Sequence, residues 1–222
     1  MLKAVIFDMD GVIVDTEPLH HKAYFNMFEN VKIDVSEELY QSFTGQSTMN
    51  ICKYLCHHFN LNKLPEELVQ IKRKAFTHLF FNDPDLQLID GVRDLIEDYY
   101  NNNLTLILAS SASMFTIDNV FSRFELNPFF KAKLSGADLK ASKPHPEIFI
   151  NATEASGYKK ENCIVIEDST NGIKAAHSAG IYCVGYKSLH SKNQNYSLAN
   201  KVISDFKEID YPNASKLLQS KN

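Results

Sequence analysis

Residues 4–11, Ala4-Val5-Ile6-Phe7-Asp8-Met9-Asp10-Gly11, set four apolar residues against two carboxylates two positions apart, with a glycine directly behind. An unbroken apolar run of this length reads as a strand buried on both faces, as central parallel strands are. The two like charges at its end repel each other, and each is costly to take out of water. Asp8 and Asp10 therefore need partners supplied from elsewhere.

The remainder of the chain repeats the theme of short apolar runs alternating with longer segments of helical periodicity. That is the pattern of a parallel sheet covered by helices. Leu104–Ala109, Cys163–Ile166 and Tyr182–Val184 are the other clear strands, and Ala132–Leu134 and Lys201–Ile203 are weaker ones. Between the first strand and the second lies a stretch that reads as helices only: Pro18–Glu29, Ser36–Phe43, Ser47–Phe59 and Pro65–Phe81. Asn and Pro punctuate them, as does Gly45. An all-helical insert after the first strand predicts a cap. The expected organisation is a Rossmann-like α/β core with helices on both faces, residues 1–15 and 88–222, and a helical cap, residues 16–87. Asp90-Gly91 opens a further helix, Val92–Tyr100, and the tail after Tyr211 reads as polar and frayed.

At 222 residues the chain suffices for one sizeable core with an inserted subdomain. Twenty-three Lys and Arg against 27 Asp and Glu leave a net charge of −4, which argues against a nucleic-acid partner. No apolar run approaches the ~20 residues that span a bilayer, so no membrane role is expected. The N-terminal apolar stretch carries Lys3 and runs straight into aspartates, unlike a signal peptide. Cys52, Cys56, Cys163 and Cys183 show no framework spacing and read as reduced thiols of a cytoplasmic protein.

Ligands of open α/β sheets bind beyond the carboxyl ends of the strands. Read only there, the sequence offers Asp8 and Asp10, then Ser110 and Ser111, then Glu167 and Asp168. Lys143 joins them from Ser142-Lys143-Pro144-His145-Pro146, just ahead of a helix. Four acids, hydroxyls and one lysine suit a hard cation and a phosphoryl group, since Mg²⁺ takes carboxylate oxygens together with substrate phosphate. Two unit charges ~4 Å apart interact by roughly 4 kcal/mol at an effective dielectric of ~20. A dication and a lysine cancel several such repulsions, which answers the cost of placing Asp8 beside Asp10.

In this order, Asp8-Met-Asp10-Gly, Leu-Ala-Ser110-Ser, Lys143-Pro and Ile-Glu167-Asp168-Ser resemble the four motifs of the haloacid dehalogenase superfamily. The chain is most similar to the β-phosphoglucomutase-like subfamily, whose helical cap follows the first motif. The resemblance implies Asp8 as nucleophile forming an aspartyl-phosphate and Asp10 as general acid and base. It implies Ser110 and Ser111 as holders of phosphoryl oxygens, and Lys143 as a bridge between phosphate and nucleophile. Mg²⁺ would be held by the Asp8 carboxylate, the Asp10 backbone carbonyl and Asp168, with Glu167 close by. His20 lies where related sequences carry a histidine near the acid/base, and Gly45 stands at the cap glycine of the substrate side.

Blander readings exist for each residue. Ser110 also suits a helix cap, and Asp15 and Thr16 suit a hinge or a cap. Cys52, Leu55, Cys56 and Phe59 form one apolar helical face rather than a zinc site. Lys72-Arg73-Lys74 reads as a solvated face, and His145 as a loop residue. The implied activity is a Mg²⁺-dependent phosphatase of a small phosphorylated metabolite, a sugar phosphate, working as a monomer. The alternative is a phosphohexomutase of the β-phosphoglucomutase type. The mutases carry a basic residue and an arginine around the cap glycine, whereas Thr44-Gly45-Gln46-Ser47-Thr48-Met49-Asn50 is uncharged, which favours hydrolysis. Inorganic pyrophosphatase and a non-catalytic phosphoacceptor domain are more distant readings.

Overall fold

The computed structural model describes residues 1–43, 48–83, 86–137, 139–188 and 193–219. The chain divides into two compact units, Met1–Asp15 with Gln87–Asn222, and Thr16–Leu86.

The first unit holds a sheet built from β1 (Ala4–Phe7), β2 (Thr105–Ser110), β3 (Phe130–Ser135), β4 (Cys163–Glu167), β5 (Tyr182–Tyr186) and β6 (Lys201–Ile203). The order is β3-β2-β1-β4-β5-β6 with every pair parallel. The order reverses between β1 and β4, and ligands of doubly wound sheets bind at that reversal. All four residues of β1 are buried. Ala4 and Ile6 join Ile107, Val165 and Cys183 in a core with Ile148, Phe149 and Ala152 and with Ile173 and Ala176. Those last five come from two helices, Glu147–Ser156 and Thr170–Ala179. On the opposite face the Phe7 ring meets Tyr99 at 6.3 Å and Phe130 at 5.7 Å, and Phe121 meets Phe130 at 4.9 Å. Tyr99 and Phe121 belong to the helices Val92–Asn101 and Met114–Arg123. Helices thus cover both faces, as the continuous apolar strands require.

Among its described residues, the regular structure of the second unit is helical. In chain order the molecule has α1 (Glu17–Val31), α2 (Glu37–Gln41), α3 (Thr48–His58) and α4 (Pro65–Asn82) here, then α5 (Val92–Asn101), α6 (Met114–Arg123), α7 (Glu147–Ser156), α8 (Thr170–Ala179) and α9 (Tyr211–Leu217) in the first unit. Met27, Phe28, Cys52, Leu55 and Leu68 form the helical unit's own core, with Cys56 and Phe59 packed against it. The apolar face read in Cys52, Leu55, Cys56 and Phe59 is therefore core packing. Lys22 of α1 reaches Asp83 beyond α4 at 2.6 Å.

Three expectations need correction. The β3 strand is longer than Ala132–Leu134, because Lys131 and Lys133 lie along an edge where charge is tolerated. The tail after Tyr211 is not frayed: Asp210 accepts the Asn213 N–H, Tyr211 donates to Asp98 and Ala214 is buried. Lys72 is no part of a solvated face, since it is 4% exposed. It falls in the stripe Leu68, Val69, Lys72, Phe76 and Phe80 that α4 buries. Among the described residues no helix is long and apolar enough to cross a membrane.

Candidate active site

The carboxyl end of β1 is shaped by the loop that follows it. Val14 donates to Met9 O and accepts from Gly11 N, closing a tight turn whose apolar residues Met9, Val12, Ile13 and Val14 are fully buried. Gly11 has φ +84°. A Cβ there would lie 2.3 Å from Asp168 Oδ2, so glycine is needed both for the backbone and for the space Asp168 occupies. Asp168 thereby rests against the peptide that follows Asp10.

Lys143 ties the strand ends together. Its ammonium donates to Asp8 Oδ1 at 2.5 Å, Glu167 Oε1 at 2.8 Å and the Ala109 carbonyl at 3.1 Å. It also lies 4.8 Å over the Phe149 ring. Asp8 is 6% exposed and Glu167 1%. Burial pushes the Asp8 carboxyl well above its ordinary value; Lys143 opposes the shift, while Glu167, Asp10 and Asp168 add to it. Burial works against the Lys143 ammonium, but Asp8 and Glu167 outweigh it and raise its pKa above the ordinary lysine value. The cluster is an ammonium held between acids, with carboxylates in excess.

Glu167 is fully engaged by protein donors. Besides Lys143 on Oε1, the Ser169 N–H and hydroxyl donate to Oε2 at 2.7 and 2.9 Å. Ser169 caps α8, so Glu167 lies at a helix N-terminus, where negative charge is favoured. A Cβ on Gly172 would come 1.6 Å from Glu167 Oε1, so the helix leaves a slot for the carboxylate. One ligand atom each from Asp8, Glu167 and Asp168 lie within 4.8 Å of one another, a set of hard oxygens that could hold a metal ion.

Ser110 ends β2 and is fully buried, with its Oγ accepting the Ala112 N–H at 3.0 Å. Ser111, next in line, is exposed. The cap of α6 is Ser113, whose side chain accepts from Thr116 N; the capping role considered for Ser110 falls to it. Thr16 stands at the N-cap position of α1 without a side-chain cap bond. His145 is an exposed loop residue.

In the helical unit His20 Nδ1 lies 2.7 Å from Lys72 Nζ, and its ring stacks on Phe76 with centroids 4.4 Å apart. Burial and the Lys72 charge lower the His20 pKa well below the ordinary value. Gly45 lies outside the described residues. Sequence reasoning missed Lys72, Ser169 and Gly172. The 4-residue spacing of Leu68, Lys72 and Phe76 was a signal for the first, whereas nothing local marked Gly172 as the slot for Glu167.

The family profile described as haloacid dehalogenase-like hydrolase matches residues 5–186. A phosphorylated carbohydrates phosphatase of Thermotoga maritima is 31% identical over 201 residues, covering 89% of this chain and 90% of that one. A β-phosphoglucomutase of Bacillus subtilis is 29% identical over 191 residues, 83% of each chain. The crystal structure of a family IA hydrolase of this superfamily from Entamoeba histolytica superposes with a TM-score of 0.85. It covers 99% of this chain and 100% of that one, at 22% identity. The chain belongs to the haloacid dehalogenase-like hydrolases, in their β-phosphoglucomutase-like branch of phosphatases and phosphomutases.

Proposed function

We propose that this member of the haloacid dehalogenase-like hydrolases is a magnesium-dependent phosphatase of a small phosphorylated metabolite, a sugar phosphate. The observation that carries the reading is the convergence of Asp8, Lys143, Glu167 and Asp168, from three distant parts of the chain, on one cluster. The Thermotoga relative, a phosphatase of phosphorylated carbohydrates, supports the substrate class.

Asp8 attacks phosphorus, the ester P–O bond breaks, and the departing oxygen takes a proton from Asp10. Water then attacks the aspartyl-phosphate and gives a proton to Asp10, releasing inorganic phosphate and restoring the Asp8 carboxylate. Lys143 fixes the Asp8 carboxylate and neutralises charge on the phosphoryl oxygens, while Ser110 and Ser111 hold those oxygens. Positioning and charge neutralisation do most of the work in such a loose transition state. Asp8 and Asp168, with the Asp10 carbonyl, would hold magnesium, which supplies positive charge to the phosphoryl group. Glu167 serves as the counter-ion of Lys143, since both its oxygens already accept from protein donors. The reading is of a cytoplasmic monomer, and the four free thiols fit a reducing compartment.

A phosphohexomutase is the second reading. The uncharged 44–50 stretch speaks against it, whereas Lys72 gives the helical unit a buried cation. A phosphate-release screen over sugar phosphates, pyrophosphate and nucleotides tests hydrolysis. A parallel assay follows glucose 6-phosphate formed from β-glucose 1-phosphate with a bisphosphate primer. Free phosphate from a sugar phosphate supports the phosphatase; isomer without free phosphate replaces it with the mutase.

A further inference from the structure

We propose that Ser135 and Gly136, at the end of edge strand β3, are positioning residues that aim the Ser111 N–H at the transferring phosphoryl group. The proposal rests on the phosphatase reading above and adds residues that belong to none of the four motifs.

The β2–β3 register ends on the pair Ser110 and Ser135. The ladder then continues one step further, with Gly136 N–H donating to the Ser110 carbonyl at 2.7 Å. The peptide after Ser110 is trans, since the one cis bond among the described residues precedes Pro144. The C=O and N–H of a trans peptide point in opposite directions. Drawing the Ser110 carbonyl toward β3 therefore turns the Ser111 N–H to the other side of β2. That is the side of β1, whose end carries Asp8. Lys143 bridges the same two strands there, donating to Ala109 O of β2 and to Asp8.

A second clamp holds the next peptide. The Ser135 hydroxyl donates to the Ala112 carbonyl at 2.7 Å and accepts from Ala137 N–H at 3.2 Å. The Ala112 N–H is itself committed to Ser110 Oγ. Of the amides at the start of this turn, Ala112 is thus spent internally and Ser111 is steered outward. Gly136 is buried, and a Cβ on it would meet Ile148 Cδ1 at 3.3 Å and Ser110 O and Ser111 Cα at 3.4 Å. The added Cβ would crowd Ile148 and come to contact distance of the turn that β3 holds in place. Misplacing a reacting group by ~1 Å can cost on the order of 100-fold in rate, so a turn set by two hydrogen bonds is a sensitive place.

The test uses the magnesium-loaded full chain, inorganic phosphate as probe, and the variants Ser135→Ala and Ser135→Thr. Ser135→Ala is expected to lower kcat and weaken phosphate inhibition by about 10-fold each, while Ser135→Thr, which keeps the hydroxyl, stays within about 3-fold of wild type. In the wild type the Ser111 amide proton moves downfield in ¹H–¹⁵N spectra when phosphate is added, and the shift shrinks in Ser135→Ala. A Ser135→Ala enzyme with lowered Tm but wild-type kcat and phosphate affinity per folded molecule overturns the proposal. So does a Ser111 amide in wild type that ignores bound phosphate. A wild type that neither releases nor binds phosphate removes the phosphatase reading itself, and the proposal with it.

Discussion

Asp8 and Asp10 are separated by one residue and differ in their surroundings. Asp8 is buried and bound to Lys143, whereas Asp10 is half-buried on the turn closed by Val14. Asp10→Asn is expected to lose about 10²- to 10⁴-fold in turnover, the usual worth of a general acid–base. Asp8→Asn falls to background, and both keep a wild-type circular dichroism spectrum. Phosphate-release kinetics check this, and near-wild-type turnover in either variant refutes the roles given. His20 offers a pH signature. Its pKa is lowered by burial and then by Lys72, while an unfolded imidazole titrates near 6.5. Below that pH the unfolded chain takes up a proton the folded one refuses, so stability falls as pH drops through 6.5 and is retained above it. The His20 ring carbons should hold their NMR shifts through the pH range in which ordinary histidines titrate. Lys72→Met should move the His20 titration back upward; an unchanged titration in that variant sinks the pairing.

At the scale of elements, α8 shows how a helix serves the site. Replacing glycine by alanine in a helix ordinarily gains about 1 kcal/mol. At Gly172 the new Cβ would sit 1.6 Å from Glu167 Oε1. Overpacking costs about 1–3 kcal/mol, and the charge-assisted bonds of Glu167 contribute about 1.5–3 kcal/mol more. The steric loss wins, so Gly172→Ala should lower both the urea midpoint and kcat, because Lys143 loses its second carboxylate. A more stable variant contradicts the slot. On the other face of the sheet, the Tyr99 hydroxyl of α5 donates to Ile209 O, just ahead of α9. Tyr99→Phe leaves that buried carbonyl unmatched and should cost about 1–2 kcal/mol in equilibrium unfolding without changing KM.

For the molecule as a whole, magnesium should bind the folded chain through carboxylates that unfolding disperses. At 100 times its dissociation constant such a ligand adds about 2.7 kcal/mol. Magnesium is thus expected to raise Tm, EDTA to reverse the rise and abolish turnover, and Asp168→Asn to respond weakly to either. A Tm indifferent to magnesium refutes the metal reading whatever the activity. The α/β class, the helical insert and the candidate acids were legible in the sequence because each rests on local pattern: apolar runs, helical spacing, and polar residues where a run stops. Only the tertiary structure decided that Glu167 turns to Lys143 and Ser169, that Lys72 is buried, and that Ser135 grips Ala112. Those facts depend on which side chains meet across strands and helices far apart in the chain, and the spacing of letters along one segment carries no information about the partner waiting on another.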